Sequence, residues 1–331
     1  MNITRGVGLL GAVALLGACT GGGSGPTQAP TTSIAPTPGV IVFGNDPLSA
    51  GGHAQLYIES DDGSHVRRLV VSSEKDVGPS ISPDGTRVMF TRIHDPRPDR
   101  IFVVNVDGSD LHQVVPTGCP GRCGDAVESD PWSPDGTRIV FTRAIYGRGP
   151  IPIHVQLWTA NADGTGARQI TDPHHAQDDQ ASWSPDGTQI VYLHWAYGHP
   201  DRFTIQIAAA DGTGSRQLTP DGLDAADPAW SPDGALIAFQ SPPDPGGAMQ
   251  QLYTIRPDGS GLRSLTPELA GTATNHPSWS PDGSQLVFAH APSGPLGGDL
   301  FVIDRDGTGV HVLRVTGLNE NGPDWGPAVA P

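Results

Sequence analysis

Glu128, Asp179, Asp227 and His276 are the side chains whose spacing best suits them to act together. Each stands three or four residues ahead of one fixed aromatic position in a repeating unit: Glu128-Ser129 before Trp132, Asp179-Gln180 before Trp183, Ala226-Asp227 before Trp230 and Asn275-His276 before Trp279. Two further units supply Val77-Gly78 before Ile81 and Asn321-Gly322 before Trp325. Carboxylates, amides and an imidazole brought to one mouth make a polar, partly acidic ring, the kind of convergent polar group that marks a ligand site. The same Asp and Asn residues also suit turn capping, where short polar side chains hydrogen-bond the local backbone. Binding at the mouth is assigned to Glu128, Asp179, Gln180, Asp227, Asn275, His276 and Asn321, and no catalytic residue is assigned.

His174, His175, Asp178 and Asp179 form the densest group of metal-type ligands. They mix imidazoles, which suit zinc, with carboxylates, which suit harder cations, so the group commits to neither. No metal and no other cofactor is expected. The Asp-Gly turns, such as Asp304-Arg305-Asp306-Gly307, lack the distal Glu and the flanking helices of a calcium loop and read as hairpin turns.

The elements that must position these residues are written in the repeat. SPDG occurs at Ser82 to Gly85, Ser133 to Gly136, Ser184 to Gly187, Ser231 to Gly234 and Ser280 to Gly283, a spacing of 47 to 51 residues. Periods of that length signal a propeller, a solenoid or an array. Pro presets the first corner of each turn, Asp tolerates the second, and Gly takes the left-handed conformation. A second phrase, Asp-Gly at 62–63, 107–108, 163–164, 211–212, 258–259 and 306–307, predicts six hairpins between third and fourth strands. The runs Val40 to Phe43, Val88 to Thr91, Ile139 to Thr142, Ile190 to Leu193, Leu236 to Phe239 and Leu286 to Ala289 give six second strands.

Five of the seven tryptophans occupy the position before the tight turn or its C-terminal equivalent, where a large side chain serves blade-to-blade packing. The domain starts on a second-type strand at Gly39 and ends on a first-type strand at Pro323 to Gly326. The prediction is an all-β, six-bladed propeller of four-stranded blades over residues 39–331, closed by the C-terminal strand joining the N-terminal blade, which removes exposed sheet edges.

Ahead of the ring, Arg5 precedes an apolar run, Val7 to Leu16, that is too short for a stable span and has signal-peptide proportions. Leu16-Gly17-Ala18-Cys19 resembles a bacterial lipoprotein lipobox, and the resemblance implies a signal over residues 1–19 with lipid attached at Cys19. Residues 20–38, rich in Gly, Ser, Thr and Pro, read as a flexible tether. The formal charge is −16, from 35 Asp and Glu against 19 Lys and Arg, which disfavours nucleic acid and anionic headgroups. Cys119 and Cys123, with Pro-Gly-Arg between them, suit a local disulfide in an oxidising compartment. So small a loop contributes only about 2 kcal/mol.

The pattern P-x-W-S-P-D-G, then an I-x-F-type strand, then D-G, then R-x-L-T resembles the WD-like propeller repeats of the TolB type; 277–283 and 228–234 carry it most fully. The resemblance spans Gly39 to Gly326 and implies an exported protein. TolB itself has an α/β domain ahead of its propeller, whereas a low-complexity tether occupies that place here. No G-x-S-x-G elbow follows a strand. The expectation is a non-catalytic, lipid-anchored binding scaffold facing the extracytoplasmic side of the cell envelope, with a protein or glycan partner. The alternative is a propeller-borne hydrolase or lyase using Glu128, Asp179, Asp227 and His276 across the channel.

Overall fold

The protein is described here by a computed structural model covering residues 39–46, 53–94, 98–149, 152–172, 176–196, 203–242, 250–269, 273–291, 298–314 and 319–329. The signal, Cys19, the tether, His174 and His175 lie outside these residues. Six four-stranded antiparallel sheets follow one another in chain order, each paired between sequence neighbours except the first. The inner strands are Lys75–Ile81, Arg122–Ala126, Ala176–Trp183, Ala226–Trp230, Ala273–Trp279 and Asn319–Pro327. Asn319–Pro327 joins the N-terminal strand Gly39–Asp46, with Val40 opposite Gly326, Ile41 opposite Trp325 and Val42 opposite Asp324. The first blade is therefore built from both ends of the domain, as the strand order of the repeat predicts.

The SPDG turns are held from within. Asp84 Oδ1 accepts hydrogen bonds from Ser82 Oγ, Thr86 N and Thr86 Oγ1, while Ser82 Oγ accepts from Arg87 N. Gly85 sits at φ 72° and returns its N–H to Ser82 O at 2.8 Å. These bonds hold the Asp84 and Asp135 carboxyls down to about 2, against burial at Asp84 and with Ser133 as the leading cause at Asp135. A Cβ added at the turn glycines would meet the turn proline of the preceding blade, Pro83 from Gly136, Pro134 from Gly187, Pro185 from Gly234 and Pro232 from Gly283. From Gly85 it would meet Pro327, so Trp325-Gly326-Pro327 stands in for the Trp-Ser-Pro of the other blades. Gly326 replaces Ser there because a Cβ would lie 2.6 Å from Ile81 Cβ.

The hydrophobic clusters lie between blades. One joins Met89, Ile101 and Val103 of the second blade to Trp132, Ile139 and Phe141 of the third. Another joins Ile41, Phe43 and Trp325 of the first to Val287, Leu300 and Val302 of the sixth. The repeated tryptophans add a polar staple to the preceding blade: Trp183 Nε1 donates to Pro131 O at 3.0 Å, and Trp279 Nε1 to Ala229 O at 3.2 Å. Ile81 has no such donor, and its backbone N–H goes to Asp324 Oδ2 at 2.7 Å.

The third blade departs from the expected pattern. Its inner strand ends at Ala126, and Trp132 keeps a single bridge to Ile139. Pro131 is the cause: its carbonyl still accepts from Val140 N at 2.8 Å, but it has no N–H to return.

Candidate functional site

The backbone turns left-handed at the same place in every blade. Gly78, Ser129, Gln180, Asp227, His276 and Gly322 all have positive φ, between 51° and 59°. These are the positions three residues before the aromatic site. Register shifts coincide with them between Val77 and Ser80, Asp179 and Ser182, Ala226 and Ala229, and Asn275 and Ser278. A left-handed conformation costs a non-glycine residue about 1–2 kcal/mol, and bulges of this kind re-aim side chains beside functional sites. Ser129, Gln180, Asp227 and His276 all carry that cost.

The six left-handed positions surround a cavity of about 290 Å³ on the ring axis. Glu128, Ser129, Gln180, Asp227, His276 and Asn321 line it, as the repeat alignment predicts, together with Asp130, Ser278 and Asp324, which that alignment does not single out. Two assigned residues lie apart from the lining. Asp179 turns its carboxylate to Thr142 Oγ1 and to Gln180 N, the latter at 2.9 Å, and Asn275 pairs with Ala289 in the sheet. Asp178 is buried with its Oδ1 2.7 Å from His194 Nδ1. Among the described residues, no group of three or more His, Cys, Asp or Glu side chains is placed to hold a metal ion.

Gln180 organises the upper ring: its amide hydrogen-bonds the Glu128 carboxyl and its Oε1 accepts from Asp227 N at 3.0 Å. Asp227 is 4% exposed, and its Oδ2 lies 3.4 Å from His276 Nε2 without a hydrogen bond. Glu128 faces the lumen yet is enclosed by protein, and this loss of water raises its carboxyl well above the usual range, with the charges of Asp179 and Asp227 adding to the shift.

Deeper in the channel, Asp130 hydrogen-bonds Asp324. Asp324 also accepts from Ile81 N at 2.7 Å and from Ser278 Oγ at 2.8 Å, so it is the acceptor of the pair and Asp130 carries the proton. Burial, then the charge of Asp324, pushes Asp130 up to about 8. Burial raises Asp324 as well. The Ser278 hydroxyl, which donates to Asp324 and accepts from Trp325 N at 3.0 Å, is committed to this junction rather than free to attack a substrate. Asp130 also lines a smaller cavity of about 190 Å³ walled by Pro83, Pro134, Pro185, Trp132, Trp183 and Trp230. The carboxyl pair thus forms the waist between a polar mouth and a vestibule rich in proline and tryptophan.

A pH dependence follows. Folding holds the proton on Asp130, whereas the unfolded chain releases it above about pH 4. This contribution is full below that value and is lost as pH rises toward 8. The lowered Asp84 and Asp135 carboxyls act in the opposite sense in a separate window, losing their contribution as pH falls from about 4 to about 2. The melting temperature should fall by a few degrees from pH 5 to pH 8, and Asp130→Asn, which mimics the protonated acid, should flatten that slope. A wild-type melting temperature that climbs over the same interval contradicts the assignment.

Cys119 and Cys123 are joined in a disulfide with Cα atoms 6.1 Å apart. The adjoining segment is pinned by the fully buried Arg143, which pairs with Asp125 at 2.6 Å and donates to Pro116 O and Thr117 O.

A family model described as the TolB beta propeller domain matches residues 25–199, over half of the chain. The chain belongs to that family. A TolB homolog from Chlorobium luteolum is 30% identical over 224 residues, which is 66% of this chain and 46% of that protein. The chain therefore spans about half the length of this curated relative. The crystal structure of TolB from Acinetobacter baumannii superposes with a TM-score of 0.68 at 19% identity, over 87% of this chain and 67% of the other. A putative tricorn protease homolog from Streptomyces coelicolor is 33% identical over 115 residues, 33% of this chain and 10% of that protein. In this chain the six left-handed positions of the propeller frame the mouth.

Proposed function

We propose that this protein is an exported, lipid-anchored binding scaffold of the cell envelope, whose channel mouth receives part of a partner protein. The observation that supports this reading best is the ring of left-handed residues around the mouth, because four of them accept strained backbone to hold side chains at a cavity that the packing of the blades does not need. Rigid scaffolds that carry variable polar residues at strand ends are suited to recognition. Ser278, a hydroxyl in the cavity lining, is committed to the Asp324 junction, as a structural rather than a nucleophilic serine would be. Similarity to the tricorn protease homolog covers a third of this chain and a tenth of that protein.

The test is substitution at the mouth. Glu128→Gln, Asp227→Asn and His276→Gln combined should leave the melting temperature within a few degrees of wild type and lower recovery of the envelope partner at least tenfold in pull-downs. Full recovery by the triple variant places recognition elsewhere, on a blade edge or the opposite face.

The anchor rests on Leu16-Gly17-Ala18-Cys19 and the low-complexity stretch after it. Cys19→Ala should move the protein from the membrane fraction to the soluble fraction, and retention in the membrane would refute lipid attachment at this residue.

A further inference from the structure

The mouth has two kinds of wall. Pro79, Pro277, Pro323 and Ala229 form apolar parts of the lining, whereas Glu128 and Asp227 bring carboxyls to the same cavity. Asp227 is the informative group: it is almost fully buried, it lines the cavity, and its Oδ2 has the His276 ring nitrogen at 3.4 Å but no hydrogen bond. A buried carboxylate oxygen without a hydrogen bond costs about 1–3 kcal/mol, more when charged, so a cationic donor that approaches more closely than the His276 ring, 3.4 Å away, is stabilised there. We propose that the mouth takes the basic end of a side chain, a lysine ammonium or arginine guanidinium presented by the partner, with the charged head between Glu128 and Asp227 and the methylene stem along the prolines. This rests on the reading of the mouth as the partner site and names the chemistry that it selects.

Size and lining favour a side chain over a bare metal ion. A calcium or zinc ion needs several ligands converging within about 2.0–2.6 Å, and no such group of three exists among the described residues. About 290 Å³ accommodates a whole basic side chain, which carries both the apolar stem and the cationic head that the two walls call for. An anionic or purely apolar group meets the wrong wall.

The titratable groups that line the cavity and face the incoming charge are Glu128, Asp130, Asp227, Asp324 and His276, drawn from four of the six blades, with Asp179 behind the lining and acting on Glu128 through its charge. A cation stabilises the ionised carboxyls, so binding should release protons from Glu128 and from the Asp130–Asp324 pair. Affinity should then rise with pH, by about tenfold between pH 5.5 and 8. A lysine probe stays charged throughout this range, so the change reports the protein.

The probe is N-acetyl-lysine-methylamide titrated into the detergent-purified full chain by calorimetry, with the His276 ring signals followed by NMR. N-acetyl-norleucine-methylamide and cadaverine serve as comparators. The expected result is millimolar binding of blocked lysine that shifts the His276 signals, at least tenfold tighter than blocked norleucine and tightening with pH. Glu128→Gln with Asp227→Asn should weaken it at least tenfold while the fold, followed by near-ultraviolet circular dichroism, persists. Equal binding of lysine and norleucine, or affinity that falls as pH rises, overturns the inference. Tighter binding of cadaverine assigns the site to a free amine and overturns the polypeptide source. If blocked lysine fails while the mouth variant still loses its partner in pull-downs, this inference falls and the reading of the mouth as the partner site stands.

Discussion

Removing residues 319–331 should abolish cooperative folding of the ring. The deletion takes away the inner strand of the first blade and leaves Gly39–Asp46 as an open edge, although Ile41, Val42 and Phe43 are fully buried in the intact protein. It also removes Trp325 from the cluster shared with the sixth blade, a loss of about 3–5 kcal/mol by itself. Asp324 goes with it, so Ile81 N and Ser278 Oγ, in the second and sixth blades, lose their acceptor. Against a total stability of about 5–15 kcal/mol, the sum leaves little folded chain, and the exposed edge invites association. Thermal unfolding and sedimentation check both consequences. A monomer melting cooperatively at the wild-type temperature contradicts closure by the C-terminal strand.

Trp183→Ala should cost about 3–5 kcal/mol. The side chain packs with Val140, Leu157 and Ile190 between the third and fourth blades, carries the Arg138 guanidinium 5.1 Å above its ring, and staples Pro131 O through Nε1. Phenylalanine separates these roles. Trp183→Phe keeps most of the packing and loses the staple, a cost of about 1–3 kcal/mol if Pro131 O is left without that donor. Trp230 occupies the equivalent position, but its buried Nε1 has no hydrogen-bond partner, so Trp230→Phe should cost less than Trp183→Phe. Chemical denaturation of the two variants decides the matter, and equal costs would mean that the indole N–H contributes nothing to joining the blades.

The ring was legible because its determinants are local. The SPDG and Asp-Gly phrases specify turns through the conformations of Pro, Asp and Gly themselves, and the period then fixes the order of strands between them. The mouth was legible for the same reason: counting back a fixed number of residues from each tryptophan reaches Ser129, Gln180, Asp227 and His276 without knowledge of their contacts. Their left-handed backbone was not legible, since Ser and Gln carry no marked preference for it, and only Gly78 and Gly322, with the milder tolerance of Asp227 and His276, hint at what the position demands. The Asp130–Asp324 pair was missed because it joins the third blade to the first across the channel, a contact without a local signature. Its trace in the sequence is a departure from the repeat. Asp130 stands where Pro79, Pro228, Pro277 and Pro323 stand in other units, and Asp324 stands where Ser80, Ser182 and Ser278 do. Irregularities in an otherwise regular repeat therefore carried as much information about the site as the regular positions did.

The central claim, that the partner enters at the polar mouth, is tested most directly by site-specific photo-crosslinking of the full chain in intact cells. A benzoylphenylalanine placed at Asn321, on the mouth, should capture the partner, while one placed at Pro134, in the vestibule beyond the Asp130–Asp324 waist, should not. Capture from Pro134 with none from Asn321 would contradict the account and place recognition on the opposite face of the ring.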